Sequence, residues 1–374
     1  MSIAASHGWA ALVPSRVAAD SGLVRSTVQE RFRDRASLGA ALWEHRCATP
    51  MERALAGVVA AGVPSGRRQP QRADVAESLS RLCRPDPELL AGTELVVAAH
   101  YDAATADAVR ASLGAIVTGW CTDGRAGNGA RSGYLAMVGL GLLLAARRTG
   151  AESLDWDHVA GAIAEAAAED RRPVTLPDVT APHLLGDIDL APGDPALDAL
   201  LTAALREIGS RGFEGASIDR IARAAQRTKG LVFSRFPTKL ELFLEATRRQ
   251  QTLGFAANEE FLREVTAEHG RGVAEAVALR QIQHPRLAYA RSVALEQLRL
   301  SWHYRELKAA QEADLDAVVA SLASEDPVRY GESPALVHLA YAVGLGAAAL
   351  PLLHPGADAL AYDVMTVPLT DRGI

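Results

Sequence analysis

The stretch "SIDRIARAAQRTKGLVFSRFPTK", residues 217–239, decides the fold class. Ser217 is placed to cap one short helix, and a second short helix begins at Thr228 and is stopped by Pro237. The apolar positions are Ile218, Ile221, Ala222 and Ala225 in the first helix and Leu231, Val232 and Phe236 in the second. This spacing predicts two packed helices joined by the polar turn "QRT".

Longer helices are expected on both sides of this pair. Asp194 followed by proline is typical of a helix start, and leucines then repeat at three- and four-residue steps up to Gly209 and Gly212. Thr238 and Glu241 have the spacing of a capping box that opens a fourth helix. A supporting helix followed by two short helices and a tight turn makes a helix-turn-helix unit, whose second short helix can enter a major groove.

An internal repeat extends this pattern to the N-terminus. Residues 7–46 align without a gap with the segment 204 positions further on. The matches include Gly8/Gly212, Trp9/Phe213, Arg16/Arg220, Val28/Val232, Arg31/Arg235, Phe32/Phe236, Arg35/Lys239 and Leu38/Leu242. "VGLG" at 138–141 recurs at 343–346. We therefore expect two copies of one domain in a single chain.

The predicted organisation has two heads, two bodies and a linker. The N-terminal head covers residues 1–48 and the first body covers 49–169. The segment 170–193 is rich in proline and is interpreted as the linker. The C-terminal head then covers 194–250 and the second body 251–374. Because only six residues precede His7, the first helix of the N-terminal head is expected to have one or two turns.

Composition limits the class of protein. The 374 residues are 49% hydrophobic, with much Ala and Leu, which favours an all-α fold with a sizeable core. The net charge of -6 argues against a protein that coats nucleic acid. Residues 194–250 nevertheless contain ten Lys or Arg against seven Asp or Glu, which is the sign expected for a local DNA site.

Cysteine usage and hydropathy predict a cytoplasmic protein with no membrane partner. The three cysteines, Cys47, Cys83 and Cys121, are odd in number and suggest a reducing compartment. "MSIAASHGW" lacks the features of a secretory signal. Tyr134–Ala146, interpreted as the most apolar segment, is too short to span a bilayer.

Residues 211–243 resemble the DNA-binding domain of the TetR/AcrR repressors. The family pattern runs from a glycine–aromatic pair through a short helix to "K-G-x-x-Y/F-x-x-F-P-x-K". The residues that fit position by position are Lys229, Gly230, Phe233, Phe236, Pro237 and Lys239. The resemblance implies an all-α chain in which each head joins a helical ligand-binding body. It also implies that two bodies pair through their last two long helices.

The resemblance implies a double-stranded DNA operator as partner and names the candidate contacts. In the C-terminal head these are Ser217, Thr228, Lys229, Gly230, Leu231, Phe233, Ser234 and Lys239. In the N-terminal head they are Arg25, Ser26, Thr27, Gln29 and Arg35. The two lysines are expected to contact phosphates, and the other side chains base edges or the sugar–phosphate wall.

The two heads depart differently from the family pattern. Gln226 and Arg227 stand where the family usually has glycine and an apolar residue, so Gln226 is strained if its φ is positive. The N-terminal head keeps the turn as "SGLVRST" but has Gln29 in place of the aromatic residue and Glu30 on the exposed helix. We expect the C-terminal head to dominate affinity and the operator to be asymmetric.

Other candidate sites give weaker signals. The aromatic clusters His100, Tyr101 and Trp120 in one body and Trp302, His303 and Tyr304 in the other can line a cavity for an apolar effector or simply pack. The glycine-rich segment 124–133 is interpreted as a loop before a long helix, not as a nucleotide cradle. His45 and Cys47 have no partners at metal spacing, and no motif indicates a cofactor or catalysis.

The sequence therefore predicts an intramolecular pseudo-dimer that acts as a ligand-responsive repressor. Its interface is expected between helices Ser132–Thr149 and Ser333–Leu353, where Gly139, Gly141, Gly344 and Gly346 allow close approach. Two other classes stay open. One is a partner-binding scaffold with a degenerate N-terminal head, and the other is a small-molecule-binding protein or enzyme.

Overall fold

A computed structural model describes residues 1–123, 128–178, 189–325 and 333–374, without the side chains of 255–257, 314, 315, 317–319 and 321–325. The described residues form helices joined by turns, and their β-pairing is limited to an isolated bridge between Ser65 and Arg68. This confirms the all-α fold. Part of the predicted linker, 179–188, and the glycine-rich residues 124–127 lie outside the described residues.

The first half of the chain contains eleven named helices among the described residues. They are α1 (Ser2–His7), α2 (Pro14–Ser21), α3 (Arg25–Arg31), α4 (Arg35–Leu42), α5 (Ala48–Gly62), α6 (Arg72–Leu82), α7 (Pro87–Ala98), α8 (Ala103–Val109), α9 (Ala115–Cys121), α10 (Asn128–Ala145) and α11 (Asp157–Ala168). Turns of π-helix at Trp43–Cys47 and Arg110–Gly114 join α4 to α5 and α8 to α9. Helix α1 has six residues, as short as the sequence predicts.

The described residues of the second half follow the same order. They form α12 (Pro195–Gly215), α13 (Ile218–Ala224), α14 (Lys229–Arg235), α15 (Lys239–His269), α16 (Arg271–Gln283), α17 (Ala288–Ser301), α18 (Arg305–Glu325), α19 (Pro334–Leu353) and α20 (Asp363–Asp371). Within α12, Gly212 breaks the helix with φ 69° and ψ 165°. Gly8, which ends α1, has a similar conformation, with φ 75° and ψ 179°.

The bodies meet where α10 crosses α19. A Cβ added to Gly141 would lie 1.7 Å from the carbonyl oxygen of Ala342, and one added to Gly346 would lie 1.9 Å from the carbonyl oxygen of Met137. Only glycine lets the two backbones come this close at the crossing. The contact is reciprocal, because each glycine lies against the carbonyl four residues before the other.

Three details differ from the expectations. A Cβ on Gly139 would meet Leu55 of its own body, and Gly344 has nothing within 4 Å, so neither glycine serves the crossing. Helix α10 begins at Asn128, so the predicted loop at 128–133 is helical. The most apolar long helix is α19, which has mean hydropathy 1.8 and is long enough to cross a membrane, but 72% of that window is buried against the rest of the fold.

The two heads relate differently to the core. One large cluster of buried apolar side chains joins both bodies and includes Trp9, Leu12 and Leu38 of the N-terminal head. A separate cluster is centred on the C-terminal head and contains Phe213, Val232 and other residues of its four helices. The C-terminal head therefore has a core of its own, whereas Trp9, Leu12 and Leu38 of the N-terminal head belong to the core of the bodies.

Candidate DNA-binding site

Hydroxyl and carboxylate caps fix the helix starts of the C-terminal head. Asp194 accepts a hydrogen bond from the Leu197 N–H at 3.0 Å, and Ser217 accepts one from Arg220 at 3.3 Å. The Thr228 hydroxyl accepts from the Leu231 N–H at 3.2 Å, and the Thr238 hydroxyl accepts from the Glu241 N–H at 3.1 Å. These are the starts that the sequence predicts, and they set where α14 begins.

The turn before α14 has the strain expected from its sequence. Gln226 has φ 54°, and it is the one non-glycine residue with positive φ among the residues described. Its position in the repeat corresponds to Gly22, which has φ 66°. Both turns therefore use the left-handed conformation, and only the N-terminal head supplies the residue that adopts it without strain.

Helix α14 presents a free face next to its capped end. Val232 and Phe236 are buried, while Thr228, Lys229, Gly230, Phe233 and Ser234 are exposed and Leu231 is half-buried. Phe233 is 46% exposed, a large apolar surface on a helix this short. An aromatic ring and hydroxyls beside free helix N–H groups suit a sugar–phosphate wall and base edges.

Lys229 is held by a neighbour rather than free. Its Nζ lies 3.1 Å from a carboxylate oxygen of Asp219 on α13 and 5.9 Å from the centre of the Phe233 ring. Both groups of the ion pair are largely exposed, so the pair contributes little stability. Exchanging Asp219 for a phosphate therefore costs little.

Lys239 faces its own head. Its Nζ donates to the carbonyl oxygens of Phe213 at 2.6 Å and Ala216 at 2.9 Å, and it lies 4.2 Å from the centre of the Phe213 ring. Burial lowers the pKa of this ammonium, and Glu214 and Glu296 partly offset that effect. One N–H remains for a phosphate, so the contact predicted for Lys239 stays a prediction, and its structural role is to tie α15 to α12.

Arg35 has the same structural role in the N-terminal head. Its guanidinium donates to the carbonyl oxygen of Ala10 at 3.0 Å and lies 5.7 Å from the centre of the Trp9 ring. The other predicted contacts, Arg25, Ser26, Thr27 and Gln29, are exposed along α3. They therefore share one accessible face, together with Glu30.

The sequence interpretation missed the exposed cations of the C-terminal turn. Arg223 lies in the last turn of α13 and Arg227 precedes Thr228, and both side chains are exposed. The excess of basic residues over 194–250 was the signal for them. Arg235, in contrast, donates to Asp194 at 2.6 Å and ties the end of α14 to the start of α12.

Each head is anchored to a buried glutamate of its body. The Trp9 N–H donates to Glu94 on α7 at 3.0 Å, and the Phe213 N–H donates to Glu296 on α17 at 2.5 Å. Both glutamates are fully buried. Arg299, 1% exposed, lies 2.8 Å from Glu296, 2.7 Å from Glu214 and 3.8 Å from Glu94, so the anchors of both heads share one guanidinium.

Each head also touches the opposite body. A Cβ on Gly8 would lie 2.4 Å from Nε2 of His303, and one on Gly212 would lie 2.7 Å from the Tyr101 ring. His303 also pairs with Glu94. Burial raises the pKa of Tyr101, whose hydroxyl has no partner among the described residues. These two predicted ligand residues are therefore placed at head–body contacts.

The remaining predicted ligand residues are divided between packing and cavities. Trp120 packs half-buried against the core, and burial lowers the pKa of His100 to about 4. Trp302, His303 and Tyr304 line a polar cleft of about 430 Å³ between the N-terminal head and the second body. Among the described residues that line this cleft, none belongs to the cluster of His100, Tyr101 and Trp120.

Two further cavities lie in and beside the second body. An apolar cavity of about 250 Å³ is lined by residues including Leu279, Ile282, Leu339, Val343 and the C-terminal Ile374. A more polar cavity of about 210 Å³ lies between the end of α10 and helices α17, α18 and α19, with Trp302 in its wall.

Comparison with known proteins assigns the C-terminal head. Residues 200–246 match the family model of bacterial regulatory proteins of the tetR family. A search of curated proteins found no match to the chain. The matched segment contains the caps at Ser217, Thr228 and Thr238, the strained turn at Gln226 and the exposed helix α14. The chain thus carries a tetR-family DNA-binding domain and is a DNA-binding transcriptional regulator.

Proposed function

We propose that the chain is a cytoplasmic, ligand-responsive repressor in which one polypeptide supplies both halves of a TetR-like pseudo-dimer. The observation that carries the proposal is the exposed, capped face of α14 within a complete helix-turn-helix. Lys229 and the α14 N–H groups would bind phosphates, and Phe233 and Ser234 would lie against the groove.

Reciprocal contacts support the single-chain pseudo-dimer. The α10–α19 crossing places Gly141 and Gly346 against each other's helices. The head–body contacts are reciprocal as well: Gly8 of the N-terminal head meets His303 of the second body, and Gly212 of the C-terminal head meets Tyr101 of the first body. Reciprocal contacts of this kind are what a two-fold axis between related units produces.

The heads differ enough to favour an asymmetric operator. The exposed positions of α3 carry Arg25, Gln29 and Glu30, whereas those of α14 carry Lys229 and Phe233. Glu30 would repel phosphate, and Gln29 can read adenine where Phe233 cannot. We infer that the C-terminal head supplies most of the affinity and that the N-terminal head adds a different, weaker half-site.

Effector binding would release the operator by moving the heads. The apolar cavity of about 250 Å³ beside α19 suits an apolar effector, and α19 crosses α10 of the other body. An effector that fits only one spacing of the heads shifts the population toward that spacing. Operator affinity then falls by the coupling free energy between the two sites.

DNA selected by the full chain from a random library tests the proposal. We expect Lys229→Ala to weaken binding about equally across sequences and to reduce the salt slope by about one. Arg263→Ala, which removes an exposed cation of the second body, is the matched control and should leave affinity unchanged. Operator binding as tight as wild type by a Lys229→Ala/Lys239→Ala double variant would exclude this head as the DNA reader.

A partner-binding role for the N-terminal head is the second candidate. Leu23 and Val24 are 53% and 70% exposed, at positions where the C-terminal head has Arg227 and Thr228. An apolar pair at the turn favours a protein surface over a phosphate. Footprinting decides between the roles, because protection of one half-site only would favour partner binding by this head.

A further inference from the structure

The polar cavity of about 210 Å³ carries an unusual concentration of cations. Arg147 and Arg148 come from the turn that follows α10, where Arg148 lies 3.9 Å from Asp316, and Lys308 comes from α18. The one acidic residue in its wall, Glu312, lies 3.9 Å from Lys308 and accepts a hydrogen bond from the Thr149 hydroxyl at 3.0 Å. The lining therefore has an excess of positive charge in a protein whose net charge is -6.

Arg147 lies in the wall of this cavity, and not all of its N–H groups have an acceptor among the described residues. Its guanidinium lies 4.9 Å from the centre of the Trp302 ring, and one terminal nitrogen donates to the Leu90 carbonyl oxygen at 3.3 Å. Its Nε is buried with no acceptor among the described residues. A guanidinium has five N–H donors, so donors other than the one bound to Leu90 remain for an oxygen ligand.

Much of the remaining wall is apolar or aromatic. Leu144, Ala145 and Leu298 line the cavity together with the Trp302 indole. Gln311 donates to the Tyr341 hydroxyl at 2.9 Å, so these two polar groups already have partners. Cations at one side and apolar groups at another match a ligand with a carboxylate head and an apolar or aromatic body.

The other half of the chain supplies an internal comparison. At the α10–α19 crossing, Gly141 corresponds to Gly346, which lies 205 residues further on. With the same offset, Arg147 and Arg148 of the first half correspond to Leu352 and Leu353 of the second. The helix starts of α8 and α18 are 202 apart, which sets Ala106 at the position of Lys308. These three cations therefore have no charged counterpart at the corresponding positions of the other half.

We propose that this cavity binds a small aromatic or apolar carboxylate. The site lies apart from the apolar cavity beside α19 and goes beyond the effector site proposed above. Trp302 lines both this cavity and the cleft against the N-terminal head, and the adjacent His303 touches Gly8. If the repressor function holds, the acid would act first on the N-terminal head.

Calorimetry and tryptophan fluorescence on the full chain, without DNA, test the proposal with phenylacetate as probe. We expect a Kd of about 1 mM or tighter, and much weaker binding of the neutral phenylacetamide. Arg147→Met and Lys308→Gln should each raise Kd about tenfold, which is 1.4 kcal/mol. Arg110→Gln, at the position of Glu312 in the other half, is the matched control and should leave Kd unchanged.

Several outcomes would overturn the inference. One is that phenylacetate does not bind, or that phenylacetamide binds equally well. Another is that Lys308→Gln, a change at a half-exposed side chain, leaves the Kd of phenylacetate unchanged. A third is that benzyl phosphate binds more tightly than phenylacetate. Because DNA is absent, failure here leaves the repressor proposal untouched. Failure of operator binding would in turn leave the acid site standing.

Discussion

The C-terminal head begins both of its short helices with a hydroxyl cap, whereas the N-terminal head begins the same two helices with valine. Ser217 and Thr228 cap α13 and α14, but Val13 and Val24 precede α2 and α3 and offer no side-chain acceptor. Each missing cap costs about 1 kcal/mol of helix stability. The two heads therefore have the same order of helices, but only the C-terminal head has side-chain caps at the starts of these two helices.

In the turn between the two short helices, it is the N-terminal head that has the better-suited residue. The N-terminal head has Gly22 in the left-handed conformation, and the C-terminal head has the strained Gln226. The C-terminal head tolerates this because it has a core of its own, with Phe213 and Val232. We conclude that the C-terminal head is stabilised by its caps and core and the N-terminal head by its turn and by contact with the bodies.

The largest effect is expected at Arg299, which serves both anchors unequally. Arg299→Met leaves Glu296 and Glu94 buried without this cation, at a cost of about 3–5 kcal/mol. The C-terminal head should loosen more, because Glu94 keeps His303 as a partner while Glu296 loses its nearest cation. Hydrogen exchange of α13–α14 against α2–α3 measures the difference.

A neutral anchor should rescue this variant. Glu296→Gln keeps an oxygen for the Phe213 N–H and removes the unpaired charge. Equal loss of protection in both heads, or no rescue by Glu296→Gln, would show that Arg299 does not distinguish the heads.

The kink glycines should be equally sensitive in the two heads. Gly8→Ala and Gly212→Ala each place a methyl at positive φ against a side chain of the opposite body, at a cost of about 2–4 kcal/mol. Chemical denaturation measures it. Gly57→Ala in α5, where nothing lies within 4 Å, is the control and should be neutral or slightly stabilising. A small effect at Gly8 alone would mean that the N-terminal head docks loosely.

The features of the two heads that the sequence predicts are those set by residues close to one another in the sequence. Caps at Ser217 and Thr228 and the strain at Gln226 depend on neighbours within four residues, and all three were predicted correctly. The orientation of Lys239 depends on carbonyl groups 23 and 26 residues away, and the cluster at Arg299 includes Glu94 from the other half of the chain. Periodicity does not report contacts between residues this far apart. The helical start at 128–133 was missed because Gly129 and Gly133 are there for close packing against Cys121 and Leu360.

The caps are the next test of the comparison. Thr228→Val should destabilise α14 by about 1 kcal/mol, and Val24→Thr should stabilise α3 by a similar amount. Exchange of the amides at the start of each helix reports both changes. Thr228→Ser keeps an acceptor and should behave like wild type. If Val24→Thr gives no protection, the N-terminal helix is held by the body contact and not by its own start.

The turns are expected to show an effect no larger than that of the caps. Gln226→Gly should stabilise the C-terminal head by about 1 kcal/mol, because glycine adopts φ 54° without the clash of a Cβ. Gly22→Gln should destabilise the N-terminal head by a similar amount. Gln226→Ala separates backbone strain from side-chain loss, since alanine keeps the Cβ and should gain nothing. A gain with alanine equal to that with glycine would place the cost in the glutamine side chain. If Gln226→Gly stabilises the head, Gln226→Ala does not, and operator affinity is unchanged, then the backbone of the turn is strained but the strain does not contribute to DNA binding.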